Sequence, residues 1–256
     1  MKLINYLILL IMIILALPGC TGKSTRKKDL DVNADTISVP DTGYTGIKKF
    51  YTNDLLIKEI TFKNGVREGA MRSFYQGGQV YQWLWYEKGL REDSVVWYYL
   101  EGQVFRTTPF KHDTIDGIQK QYYRNGNLRA KIKFVKGLRT TFFEEYNDKG
   151  KVIGGYPDIL YSIRDNYKTN GQVGISLGLS NNSPKVTFYK GELANGLFDT
   201  TKCVRIKTIN GKAIISLQKS GSPQSGYQGV IAEIITPFGN RYITGKKIEL
   251  PYKDLK

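Results

Sequence analysis

Cysteine and histidine are almost missing from this chain: its 256 residues hold two of the first and one of the second. A zinc site needs three or four ligands, so His112 beside Asp113 does not make one. Nor does that pair make a catalytic triad, because no positioned nucleophile motif accompanies it. Phosphate-binding loops and dinucleotide fingerprints are absent from the sequence as well. Glu144 and Glu145 are neighbours, and on a strand neighbours leave opposite faces, which excludes a cooperating carboxylate pair. Alanine is scarce, with seven copies, and that weighs against a helical fold. These absences lead to the expectation of a protein that is not an enzyme and holds no cofactor.

Long apolar runs are lacking too, with one exception. After Met1-Lys2 the chain runs LINYLILLIMIILAL from Leu3 to Leu17 and then Pro18-Gly19-Cys20. Fifteen helical residues rise about 22 Å, short of the roughly 30 Å hydrocarbon layer, so a signal peptide fits better than a membrane span. Leu17-Pro18-Gly19-Cys20 resembles the lipobox of bacterial lipoproteins. That resemblance implies cleavage after residue 19 and a diacylated (palmitate-type) Cys20 that inserts into the lipid bilayer as the first mature residue. A secretory signal cut elsewhere, or an uncleaved anchor with an incidental cysteine, are the alternative readings. Acyl chains hold a protein on a bilayer because each buried methylene contributes about 0.8 kcal/mol. Thr21 is not the aspartate that retains some lipoproteins at the inner membrane, which makes the outer membrane the default site in the cell envelope. Residues 20–45 are of mixed charge with few large apolar side chains, and read as a flexible lipidated tether. With Cys20 lipidated, Cys203 has no disulfide partner and reads as a small, partly buried side chain.

The formal net charge is +15. Export turns that charge away from nucleic acid and toward anionic lipid, acidic glycan or an envelope protein. It is spread evenly: residues 46–155 hold 19 basic and 12 acidic side chains, and residues 156–256 hold 14 and 7. A solvated basic surface and an anionic ligand both stay open.

What the sequence does have is tyrosine and glycine, 18 and 27 copies, arranged with a period. Tyr51, Tyr75, Tyr99 and Tyr123 stand 24 residues apart, each preceded by an aromatic residue: Phe50, Phe74, Tyr98, Tyr122. Gly78, Gly102 and Gly126 follow three positions after their tyrosines, with Asp54 in the first copy. Phe62, Tyr86, Phe110 and Phe134 keep the same spacing, and Gly65, Gly89 and Gly137 mark a second turn in which Asp113 replaces glycine. A fifth, degenerate copy reads Phe143-Glu144-Glu145-Tyr146, with Gly150 displaced by one inserted residue. Two strand-length segments separated by glycine turns make a β-hairpin, and successive hairpins predict an elongated antiparallel meander over 46–155. Alternation sets Val80, Gln82, Leu84 and Tyr86 on one face, Tyr81, Trp83 and Trp85 on the other.

The pattern in Tyr98-Tyr99-Leu-Glu-Gly102-Gln-Val104 and Tyr122-Tyr123-Arg-Asn-Gly126-Asn-Leu128 resembles the MORN repeat, in its bacterial repeat-variant family. The resemblance covers some two-fifths of the chain. It implies an elongated β-sheet without catalytic residues, on proteins that are often lipoproteins or secreted, many of them labelled antitoxin components.

From 156 to 256 the period is lost. Strand-like runs at 171–179, 185–190, 202–209, 212–218, 228–236 and 241–250, with turns at Asn210-Gly211 and Pro237–Asn240, predict a smaller β-sandwich of immunoglobulin-like type. The chain is thus expected to be all-β. Its aromatic residues are either core or stacking platforms for sugar rings or peptide strands; the candidates for a binding role are Tyr81, Trp83, Trp85, Trp97 and Arg106. The function expected is a non-catalytic envelope binding or scaffold protein, with toxin neutralisation or contact with cell-wall polymer as alternatives.

Overall fold

The computed structural model describes residues 43–256. The signal peptide, Cys20 and nearly all of the tether lie outside these residues. Among the described residues no helix is long and apolar enough to cross a membrane.

The first half is a meander of β1 (Gly46–Thr52), β2 (Leu55–Lys63), β3 (Val66–Phe74), β4 (Val80–Glu87), β5 (Leu90–Tyr98) and β6 (Val104–Lys111). It continues through β7 (Thr114–Ile115), β8 (Gly117–Tyr122), β9 (Leu128–Val135), β10 (Leu138–Tyr146) and β11 (Val152–Ile153). Apart from β7, which pairs only with β6, each strand hydrogen-bonds antiparallel to the next. Two kinds of turn alternate along it. At Lys88-Gly89 and Lys136-Gly137 both central residues have positive φ, the two-residue turn whose twist suits a hairpin. At the tyrosine turns the chain makes one ordinary turn and then a left-handed residue, Gly78, Gly102 or Gly126, each donating its N–H to the tyrosine carbonyl at 2.9–3.0 Å.

Gly150 corrects one expectation. It stands 24 residues after Gly126, donates to Asn147 O at 3.0 Å, and needs no inserted residue. Tyr146 occupies the position of Tyr98 and Tyr122, and Asn147 replaces the second tyrosine.

The second half adds β12 (Ile159–Asn166), β13 (Gln172–Leu179), β14 (Val186–Lys190), β15 (Leu197–Phe198), β16 (Val204–Arg205) and β17 (Thr208–Ile209). It closes with β18 (Lys212–Gln218), β19 (Tyr227–Ile235) and β20 (Arg241–Glu249). Two four-stranded sheets form, ordered β12-β13-β18-β17 and β16-β14-β19-β20. Alternate residues of both, among them Val173, Ile175, Leu177, Phe188, Ile215, Val230 and Ala232, meet in one apolar core. The run 202–209, expected as one strand, is broken into a 3-10 turn, β16 and β17. It has to break, because β16 pairs with β14 in one sheet while β17 pairs with β18 in the other. Ile159–Asn166 was missed because it is an edge strand exposed along most of its length.

The described residues, 43–256, belong to one compact unit. Strand β15 leaves the second half to pair with β10 of the repeats, Leu197 opposite Thr140 and Phe198 opposite Arg139.

Candidate binding surface

Cross-strand register decides which side chains share a face of the repeat sheet, since directly paired residues point the same way. One unbroken row runs Lys49, Glu59, Arg72, Trp83, Val96, Thr107, Lys120, Lys131, Glu144. On the other face a second row runs Lys58, Ser73, Gln82, Trp97, Arg106, Gln121, Ala130, Glu145. The five candidates therefore divide. Tyr81, Trp83 and Trp85 lie on the first face; Trp97 and Arg106 lie on the second.

The second face carries the buried side chains of the repeats, including Ile60, Met71, Leu84, Tyr86, Val95 and Ile132. There the Arg106 guanidinium sits 4.0 Å from the centre of the Trp97 ring, a cation–π contact between cross-strand partners. The row also holds two buried ionisable groups, Lys58 near one end and Glu145 at the other.

The first face is the open one. The Trp83 and Trp85 rings lie 6.4 Å apart at 38°, and Trp85 keeps 39% of its surface exposed. Tyr81 meets Tyr75 edge to face at 5.1 Å. Beside Trp83 the row carries the Arg72–Glu59 ion pair at 2.8 Å. Further along, Lys131 binds Glu144 at 2.9 Å. Hydrogen bonds from Tyr146 and Lys131 hold the Glu144 carboxyl below its ordinary range. Aromatic and charged groups thus share one face, an arrangement able to stack on a ring and hydrogen-bond its substituents.

The other sequence candidates are structural. His112 and Asp113 are the central residues of a two-residue turn, both at positive φ. The Asp113 carboxylate accepts from Arg91 N at 2.9 Å and Arg91 Nε at 2.7 Å. His112 N donates to Glu92 at 2.9 Å, as Lys88 N does to Glu68 one repeat earlier. Cys203 is a free, half-buried thiol, and burial raises its pKa. Among the described residues no group of histidine, cysteine, aspartate or glutamate side chains could hold a metal.

Glu145 was discounted with Glu144, and the structure gives it a role the sequence did not signal. Its Oε1 accepts from Thr236 Oγ1 at 2.9 Å and Asn240 Nδ2 at 2.7 Å, both in the turn between β19 and β20. Tyr156 donates to its Oε2 at 3.3 Å, and burial together with the Glu145 charge pushes the Tyr156 phenol well above its ordinary range. Arg129 donates to Phe238 O and Arg139 to Arg241 O, so the same turn is held from three sides by the repeat sheet. Stacked Tyr156 and Tyr242, with Phe143 against both, seal the contact.

No curated protein matches the chain. Residues 115–136, the stretch holding the Tyr122-Tyr123…Gly126 turn and its two strands, match the family described as MORN repeat variant.

Proposed function

We propose that the protein is a non-catalytic binding scaffold of a bacterial envelope, anchored by lipid on Cys20, whose repeat sheet presents its Trp83–Trp85 face to another envelope component. The observation that carries this reading is the row through Trp83. Half-buried Trp83 and exposed Trp85 lie side by side on the face opposite the buried side chains, next to the Arg72–Glu59 ion pair. The MORN-type repeat supports a scaffold role, and the lipobox-like Leu17–Cys20 supports the anchor. Lettered in chain order with β15 set aside, the two sheets of the second half run A-B-E-D and C′-C-F-G. That order supports reading this half as an immunoglobulin-type sandwich.

The test is crosslinking in living cells with the full-length chain and with a Trp83→Ala, Trp85→Ala variant, followed by capture and intact mass. A diacylated Cys20 and one reproducible partner, lost from the folded variant, are expected. An unlipidated chain, or a partner captured equally by the variant, overturns the anchor or the surface respectively.

A further inference from the structure

The sandwich carries a groove that shares no residue with the repeat face. Two recesses of about 460 and 450 Å³ lie side by side and have Pro184, Val186, Thr187 and Arg205 as a common wall. Their cations are Lys185, Arg205, Lys207 and Arg241, against a single carboxylate, Glu233. That carboxylate is already engaged, by Arg241 Nη1 at 2.9 Å and by the Tyr189 hydroxyl at 3.3 Å. Lys185, Arg205 and Lys207 make no ion pair among the described residues, so the groove keeps an uncompensated positive charge.

Register orders these groups. Arg205 on β16 stands opposite Tyr189 on β14, Thr187 on β14 opposite Glu233 on β19, and Ile235 on β19 opposite Arg241 on β20. Arg205 and Arg241 thus stand on the two outer strands, three strand spacings or on the order of 14 Å apart across the sheet, while Lys185 precedes β14 and Lys207 follows β16. They do not converge on one point, as groups binding a single phosphate would. Between them Pro184, Val186, Ile206 and Ile235 supply apolar wall, and Thr187 and Thr208 supply hydroxyls. Charge spaced along a trough whose lining is mainly polar suits a chain of hydroxylated rings that bear an acidic group at intervals.

We propose that this groove binds a linear acidic polysaccharide, with Arg205 at its centre between two subsites. The inference stands independently of the repeat-sheet reading, since a failure at Trp83 and Trp85 leaves the groove untouched.

The experiment measures binding of the full chain to polygalacturonate, to neutral dextran and to vesicles containing anionic phospholipid. The wild type is compared with an Arg205→Ala, Lys207→Ala variant and with a Lys149→Ala, Lys151→Ala control of equal charge in the repeat half. Binding to polygalacturonate alone is expected, weakening with salt. It should fall about tenfold, or about 1.4 kcal/mol, in the groove variant and hold in the control. No binding to polygalacturonate, an equal loss in the control, or a preference for vesicles would each overturn the proposal. Coincident unfolding curves for the three proteins keep a folding defect from imitating the expected loss.

Discussion

The Tyr99 hydroxyl donates to the backbone carbonyl of Tyr122 at 2.8 Å, 23 residues along the chain. The same bond joins Tyr75 to Tyr98 at 2.7 Å and Tyr123 to Tyr146 at 2.8 Å. In these three repeats the second tyrosine is thus tied to the first aromatic position of the next, which explains why the pair recurs with one period. A buried or half-buried hydrogen bond contributes about 1 kcal/mol net, while the ring adds its packing. Tyr99→Phe is expected to lower stability by about 1 kcal/mol and Tyr99→Ala by about 3 kcal/mol in urea unfolding. An unchanged stability in Tyr99→Phe would mean that the ring, and not the hydroxyl, links the repeats.

Glu145 joins the halves. Removing its carboxylate leaves the Thr236 and Asn240 donors buried without their acceptor. Glu145→Ala should cost about 3 kcal/mol, and Glu145→Gln less because its amide oxygen can still accept. Differential scanning calorimetry is the check. One cooperative transition in the wild type should become two in Glu145→Ala, as the repeats and the sandwich melt apart. A single transition at an unchanged temperature would show the junction to be held by β15 and the tyrosine stack alone.

These two relationships differ in how far the sequence discloses them. The 24-residue columns predicted the meander and its turns because each repeat meets the same local demand: a positive φ at Gly78, Gly102 and Gly126, and an apolar residue every second position. Alternation alone placed Tyr81, Trp83 and Trp85 on one face. Trp97 and Arg106 could not be assigned a face relative to them without the cross-strand register, which shifts at bulges between Trp83 and Trp85 and between Trp97 and Tyr98. The Glu145 partners lie 91 and 95 residues away and follow no period. The Arg205 groove was hidden for another reason: the run 202–209 has strand composition throughout, and its switch between sheets is set by tertiary pairing.

Asp113 gives the acid range a specific dependence. Burial opposes its ionisation, but hydrogen bonds and charge from Arg91 outweigh that, and its pKa is lowered in the fold. A group with a lowered folded pKa contributes stability above its unfolded value, near 3.9, and loses it as pH falls through the folded value. With 41% of the Asp113 side chain exposed, solvent screening limits the contribution to a few tenths of a kcal/mol. Asp113→Asn should therefore be slightly less stable than wild type at pH 6, with the difference vanishing near pH 2. Parallel stability profiles across that range would count against the Arg91 contact.

Two glycines separate backbone strain from steric conflict. Both Gly78 and Gly211 adopt left-handed angles, φ +83° and +75°, where an L side chain costs about 1–2 kcal/mol. A Cβ at Gly78 would meet nothing within 4 Å, so Gly78→Ala should cost only that conformational term. A Cβ at Gly211 would collide with the Ser183 carbonyl oxygen and stand 2.8 Å from Pro184 Cα, both backbone atoms that cannot swing aside. Gly211→Ala should therefore cost clearly more than Gly78→Ala, by about 1–3 kcal/mol, as overpacking adds to strain. Because Gly211 also lines the basic groove, its variant should lose affinity for polygalacturonate while Gly78→Ala keeps it. Chemical denaturation of the two variants, followed by the same binding assay, reads both effects; equal destabilisation would mean that the 181–184 loop yields to the new methyl group.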